Sequence, residues 1–206
     1  MCFCFLESKH AVSGLVMSRI LNSIVAVCPD MGIGNKGQLP WHSIRLNNEL
    51  KFFQRMTATP SIEGRQNVVI MGRNTWFSIP AQNRPLKNRI NIVLSRQLKE
   101  TPEGAHHLAP DFSSALHLLD TAELAGQVDQ VWVIGGSTVY KEVMEAQGQR
   151  RLFVTRVLQQ FDCDTFLPSI NPAIFRLLPG FPGVPEGIQE ENGIQYKYEV
   201  YESVPT

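Results

Sequence analysis

From residue 20 onward, continuous apolar runs alternate with segments whose apolar residues recur at helical spacing. Residues 20–28 are mostly apolar, and 24–28 are apolar on both faces, which predicts a strand buried between layers. The same pattern predicts strands over 67–71, 89–95, 130–134 and 151–157. Between them, helices are predicted over 47–58, with Asn at its start, and over 73–79, ended by Pro80. Two more are predicted over 112–120, capped by Asp111, and over 137–146, closed near Gly148. Such alternation argues for an α/β fold with a largely parallel sheet. The last third changes character. Pro172, Pro179, Pro182 and Pro185, with Gly180 and Gly183, mark an irregular connection. Asn192-Gly193 signals a hairpin, and after it Ile194, Tyr196, Tyr198 and Val200 alternate with Gln195, Lys197 and Glu199. That is a half-exposed antiparallel strand, so the sheet is expected to be mixed. No repeat, low-complexity tract or linker divides the chain.

Composition narrows the choice. A chain of 206 residues suits one domain, and 43% hydrophobic against 18% charged residues leaves ample material for a core. Nineteen basic residues balance nineteen acidic ones, which argues against a nucleic-acid or membrane-surface protein built on bulk charge. An anionic ligand must therefore be held by a few placed cations. No apolar run approaches the roughly 18 residues of a membrane span. Cys2, Cys4, Cys28 and Cys163 are scattered thiols of the kind found in a reducing compartment. Cys2-Phe-Cys4 resembles half a metal site, but no second Cys/His pair follows at ligand spacing, so no metal is expected. Residues 1–17 lack the basic start and long apolar stretch of a signal peptide and are poor in arginine for a transit peptide. They read as a loose extension ahead of a domain over 18–206.

Four places carry candidate chemistry. Gly32-Ile-Gly34-Asn-Lys-Gly37 is literally G-x-G-x-x-G after a strand, but Gln38-Leu39-Pro40-Trp41 follows, and Pro40 interrupts the helix that a dinucleotide fingerprint needs. The run reads instead as a flexible glycine-rich loop able to close over a ligand, or as a plain surface turn. Glu49 is the only carboxylate between Asp30 and Glu63, with Phe53 and Met56 at i+4 and i+7 on its face. It is either a buried acid with a task or a solvated acid complementing the helix dipole. At Gly72-Arg73-Asn74-Thr75 a strand end, a cation and a hydroxyl meet a helix N-terminus, where free N–H groups favour phosphate. Leu94-Ser95-Arg96 ends the next strand, and an Arg there can take a ribose 2′-phosphate. Gly135-Gly136-Ser137-Thr138 forms a third such junction, whose glycines allow close backbone approach. Together the three junctions point to a phosphorylated dinucleotide.

In order along the chain, several runs resemble the dihydrofolate reductase family in its vertebrate form. They are Ile24-Val-Ala-Val with Met31-Gly-Ile-Gly and Leu39-Pro-Trp, Val69-Ile-Met-Gly-Arg-Asn-Thr-Trp-Phe-Ser-Ile-Pro, and Asn83-Arg-Pro-Leu-Lys-Asn-Arg-Ile-Asn. Val93-Leu-Ser-Arg, Val133-Ile-Gly-Gly-Ser-Thr-Val-Tyr, Phe153-Val-Thr-Arg and Lys197-Tyr-Glu-Val-Tyr continue the similarity, which spans about residues 21–202. The resemblance implies a single α/β domain with a mixed, mostly parallel eight-stranded sheet flanked by helices. It implies NADPH-dependent reduction of 7,8-dihydrofolate to tetrahydrofolate, which supplies one-carbon carriers for thymidylate and purine synthesis. It also implies a cytoplasmic monomer that binds folate analogues such as antifolates. Glu49 takes the place of the acid that hydrogen-bonds the pterin and assists protonation at N5, with Thr155 supporting it. Leu39 and Trp41 would close the loop over the site. Ile24, Leu50, Phe53, Gln54, Ile79, Leu86, Ile134 and Tyr140 would line the substrate, while Asn83 and Arg89 would meet its glutamate end. For NADPH the implied set is Ala26, Gly32, Ile33, Gly34, Gly37, Gln38, Gly72, Arg73, Asn74, Thr75, Leu94, Ser95 and Arg96. Gly135, Gly136, Ser137, Thr138, Val139 and Tyr140 complete it.

Three departures stand out. Between Trp41 and Glu49 the chain carries an insertion of two residues relative to vertebrate relatives. Asn74 and Pro110 stand where those relatives often have basic residues, and the N-terminal extension has no counterpart in the family core. The intact Glu49, Arg89 and phosphate turns favour a working reductase over an inactive relative kept for binding or regulation.

Overall fold

The computed structural model describes residues 19–204. The expected extension over 1–17, with Cys2 and Cys4, and the expected domain start at residue 18 lie outside the described residues. In chain order the elements are β1 (Leu21–Val27), β2 (Gly32–Gly34), α1 (Asn47–Ala58), β3 (Gln66–Gly72), α2 (Arg73–Ser78), β4 (Arg89–Leu94) and β5 (His107–Ala109). They continue as α3 (Phe112–Leu119), β6 (Val128–Val133), α4 (Ser137–Glu145), β7 (Arg150–Val157), β8 (Thr165–Phe166), β9 (Phe175–Leu177), β10 (Ile188–Glu191) and β11 (Ile194–Ser203).

β1, β3 and β4 are the continuous apolar runs, and their residues are buried on both faces. The sheet runs β10-β11-β7-β1-β6-β3-β4-β5. Its pairs from β7 to β5 are parallel, while β11 lies antiparallel to both β7 and β10. The expected eight strands form this path. A ninth, β9, is added against the end of β11, and β2 with β8 makes a separate two-stranded ribbon.

Alternate residues of the strands feed two cores. On one face Val25, Val27, Val68, Ile70 and Val133 pack with Phe112 and Leu119 of α3 and Val139 and Val143 of α4. On the other, Ile24, Val69, Met71, Trp132 and Phe153 pack with Phe52 of α1 and Trp76 of α2. Among the described residues no helix is long and apolar enough to cross a membrane.

The helix ends follow local chemistry, with one exception. Asp111 caps α3 as expected, accepting from Ser114 N at 2.7 Å. α2 stops at Ser78, just short of the expected boundary, ahead of Pro80. α1 begins at Asn47, yet its cap residue Leu46 has no side-chain acceptor. The carboxylate of Glu191, at the end of β10, accepts instead from Asn47 N at 2.7 Å and Asn48 N at 2.9 Å. β6 starts at Val128 and β7 at Arg150, ahead of the expected starts. The β7 extension is possible because Arg150, buried in the strand, donates to the carbonyls of Met144 and Gly148 and lies over the Phe175 ring. Asn192 and Gly193 have φ of 52° and 76°, the paired positive values of a two-residue hairpin turn between β10 and β11.

Candidate active site

β1 and β7 lie side by side with Ala26 opposite Thr155, and α1 crosses this face of the sheet. Thr155, wholly buried in β7, donates its hydroxyl to Glu49 Oε1 at 3.1 Å. The residue Glu49 keeps some exposure, but its carboxylate lies deep in protein. Burial pushes its pKa from 4.5 to about 7; the Thr155 hydrogen bond opposes the shift, and the charge of Glu191 adds to it. Of the two local readings, the buried acid is the one the structure contains. Tyr140 lies beside the same carboxylate; its hydroxyl donates to the Ile24 carbonyl at 2.7 Å, and burial keeps it neutral.

The expected substrate-lining residues largely converge. Ile24 and Ile134 are buried in the core under α1, with Phe53, Ile79 and Leu86 partly exposed against it. Leu50 is 57% exposed, and Gln54 and Asn83 are also exposed. Arg89 stands at the other end of α1. It is only 5% exposed, donates Nη1 to Thr57 Oγ1 at 2.8 Å and Nε to the Lys87 carbonyl at 2.9 Å, and lies over the Phe53 ring. Desolvation lowers its pKa to about 10, so it remains cationic at neutral pH. From Glu49 to Thr57 a helix rises roughly 12 Å. One helix thus separates an acid able to donate or accept a proton from a buried cation suited to a carboxylate.

The glycine-rich run behaves differently from a free loop. Gly32–Gly34 is a strand paired with β8, and no helix follows Gly37 before Asn47. Asn35 and Gln38 close the tip of the run, and Lys36 N donates to Asp164 Oδ2 at 2.7 Å. Gly32 is required by packing: a Cβ there would stand 2.2 Å from Cys163 Sγ and 2.6 Å from its Cβ. Cys163 Sγ in turn lies 3.9 Å from the buried Cys28 Sγ. Ile33 and Gly34 are half-buried, and Gln38 is exposed. Leu39, at 50% exposure, is free to face a ligand. Trp41, which the resemblance places at the closing end of the loop, is packed into the protein. It is 2% exposed, meets Phe161 edge-on at 6.0 Å, and packs with Cys28, Leu46 and Tyr196. So large an indole gains more from burial than from a mobile position, and it anchors the loop's end.

The three expected phosphate junctions meet at strand ends. Gly72 N donates to the Gly135 carbonyl at 2.8 Å, which joins the starts of α2 and α4. Both helices have glycine caps without a side-chain hydrogen bond, and neither has an acid in its first turn. A Cβ on Gly135 would crowd the Tyr140 ring at 3.3 Å and Thr75 Oγ1 at 3.4 Å. Bare N–H groups, absent side chains and nearby cations fit a pyrophosphate. Val139 is buried under the turn and Thr138 is exposed. Ser137 is committed elsewhere, donating to the Phe166 carbonyl at 2.5 Å. Arg73 is held by Gln97 and Asn74. Beyond Leu94, the Ser95 hydroxyl accepts from Gln97 N and Leu98 N, and Arg96 is exposed at that turn. The Arg96 charge reaches Asp111 and helps hold that carboxyl below its usual range, after the Ser114 hydrogen bonds.

Residues missed in sequence are Thr57, which orients Arg89, Glu191, which caps α1, and Tyr198, which packs beside Phe52 with ring centroids 4.0 Å apart. No local spacing marks any of them.

A family model described as dihydrofolate reductase matches residues 20–203. The dihydrofolate reductase of Rattus norvegicus is 61% identical over 186 residues, covering 90% of this chain and 98% of the relative. That of Gallus gallus is 61% identical over 184 residues, covering 89% and 96%. A viral dihydrofolate reductase of Saimiriine herpesvirus 2 (strain 488) is 56% identical over 188 residues, covering 91% of this chain and 87% of the viral protein. The solved Schistosoma mansoni dihydrofolate reductase superposes with a TM-score of 0.79 at 37% identity, covering 91% of this chain and 99% of that one. With a matching sheet, a buried acid and identity near 60% over most of its length, the chain belongs to the dihydrofolate reductase family in its vertebrate form, and its reaction is the reduction of dihydrofolate.

Proposed function

We propose that the chain reduces 7,8-dihydrofolate with NADPH, with Glu49 as its proton-handling group and Arg89 as the anchor for the substrate's carboxylate tail. The observation that carries this reading is the buried Glu49 carboxylate, bonded to Thr155 at one end of α1 while Arg89 occupies the other. When bound, NADPH supplies the hydride. The protein's part is orientation and the proton. Glu49 accepts hydrogen bonds from the pterin's ring N–H and amino group and favours protonation at N5. Ile24, Phe53, Ile79 and Ile134 exclude water around the ring, with Leu39 and Leu50 as exposed apolar cover. The bare starts of α2 and α4 support a pyrophosphate site, and Arg73, Ser95 and Arg96 support one for the 2′-phosphate. Folate analogues, antifolates among them, would compete for the same surface. Free thiols at Cys28 and Cys163 support a reducing compartment such as the cytoplasm.

The test is oxidation of NADPH by the full chain with dihydrofolate present. A protein that binds both compounds yet leaves NADPH unconsumed would overturn the reading. Cofactor choice has its own test. A guanidinium makes forked, charge-assisted bonds to phosphate, so Arg96→Leu should weaken NADPH far more than NADH in equilibrium binding. Equal losses for the two would mean that the 2′-phosphate is held by other groups.

A further inference from the structure

The first turn of α1 bears Glu49, but nothing within that turn closes it. Leu46 offers no acceptor, and the amides of Asn47 and Asn48 point out of the helix. Both are satisfied from far away in sequence, by the two carboxylate oxygens of Glu191 at 2.7 and 2.9 Å. The neighbouring Asn192 donates Nδ2 to the Arg45 carbonyl at 2.5 Å. Leu46 packs with Ile194 and Tyr196 from the same hairpin. A hydrogen-bonded cap, a side-chain tie and an apolar contact therefore fasten the β10–β11 turn to the segment that carries the insertion.

We propose that Glu191 is a positioning residue for the reduction: its carboxylate caps α1 across the hairpin and fixes the turn from which Glu49 reaches the pterin. A negative cap also complements the positive end of the helix dipole. The groups facing Glu49 are Thr155 from β7, Tyr140 from α4, Tyr196 and Tyr198 from β11, and Glu191 from β10. Burial keeps the three tyrosines neutral, so Glu191 is the one that adds negative charge. Its removal lowers the pH at which Glu49 ionises in two ways, by deleting a like charge and by letting water reach a frayed turn.

This inference rests on Glu49 being the proton-handling group, and the measurements separate the two. In Glu191→Ala, amide exchange at Asn47 and Asn48 should accelerate with the rest of α1 unchanged. Turnover of dihydrofolate should fall about three- to tenfold, the scale set by loss of one helix cap at a reacting group. The midpoint of the rate's pH profile should move to lower pH. Glu191→Asp, which keeps the charge on a shorter stem, should recover part of the rate and most of the midpoint. Unchanged exchange at Asn47 and Asn48 would overturn the cap itself. A lower melting temperature with turnover and pH profile both intact would reduce Glu191 to a structural contact. Faster exchange together with normal turnover in Glu49→Gln would leave the cap standing and refute the reading of Glu49.

Discussion

Glu49→Gln is expected to lower dihydrofolate turnover at neutral pH by about 10²–10⁴, the usual contribution of a positioned acid–base group. The substitution keeps the shape and the acceptor that Thr155 addresses at 3.1 Å, but it removes the ionisable oxygen. Activity should recover in part at low pH, where the substrate arrives already protonated at N5. Near-normal turnover at neutral pH would sink the assignment. The stability of the free protein offers a second readout with a definite sign. The folded pKa of about 7 stands above the ordinary 4.5, so the stability linked to this carboxyl is complete below pH 4.5 and is lost as pH rises through 7. The glutamine variant does not suffer that loss. At about pH 9 it should be more stable than the parent, by an amount on the order of 3 kcal/mol or less. Glu199 works in the opposite direction. Bonds from Lys197, Arg156 and Tyr201 outweigh its desolvation and hold it at about 2, so its contribution is present above pH 4.5 and fades as pH falls toward 2. Thermal midpoints across pH should separate the two carboxyls.

Arg89→Leu should weaken dihydrofolate by about 2–5 kcal/mol, the cost of truncating one side of a buried ion pair. That corresponds to roughly a 30- to 5,000-fold rise in dissociation constant. A pteridine that lacks the glutamate tail should bind almost as before. The control matters because Arg89 also serves the fold, through Thr57 Oγ1 and the Lys87 carbonyl. Thr57→Val removes one of those bonds without touching the charge, and should raise the dissociation constant only modestly. If both pteridines weaken alike in Arg89→Leu, the loss is one of structure, not of a carboxylate contact.

The parts legible in sequence were those that declare themselves within a few residues. Continuous apolar runs gave β1, β3 and β4 because both their faces are buried. Asp111 and the Asn192-Gly193 turn act on their immediate neighbours and could be read directly. Pro40 rightly argued against a helix after the glycines. Strands of two or three residues, as in β2, β5, β8 and β9, show no period, and only their partners define them. The site divides along the same line. Local spacing left Glu49 evenly placed between solvent and core. The deciding contact, Thr155, lies 106 positions away in sequence and came into view through family resemblance alone. The place of Trp41 at the loop's end came through family resemblance, whereas the cluster that buries it is assembled from β1, β7 and β11 and has no local signature.

Gly32 and Cys163 hold one side chain between them. The sulfur and Cβ of Cys163 occupy the space where any residue but glycine at 32 would put its first carbon. Gly32→Ala alone should therefore displace the β2–β8 ribbon and lower both stability and turnover. Trimming the partner to alanine does not relieve this, because the Cβ of residue 163 would remain 2.6 Å from the new methyl. Only Cys163→Gly removes both overlaps, leaving the Asp30 Oδ1 contact at 3.1 Å to adjust by a few tenths of an ångström. The two positions should behave as a volume-exchange pair, in which a carbon can sit at residue 32 or at residue 163 but not at both. A double-mutant cycle on melting temperature should show strong positive coupling between Gly32→Ala and Cys163→Gly, and near-additivity would mean that the ribbon parts to admit the methyl. A side chain at position 32 is thus expected to be accepted only together with Cys163→Gly.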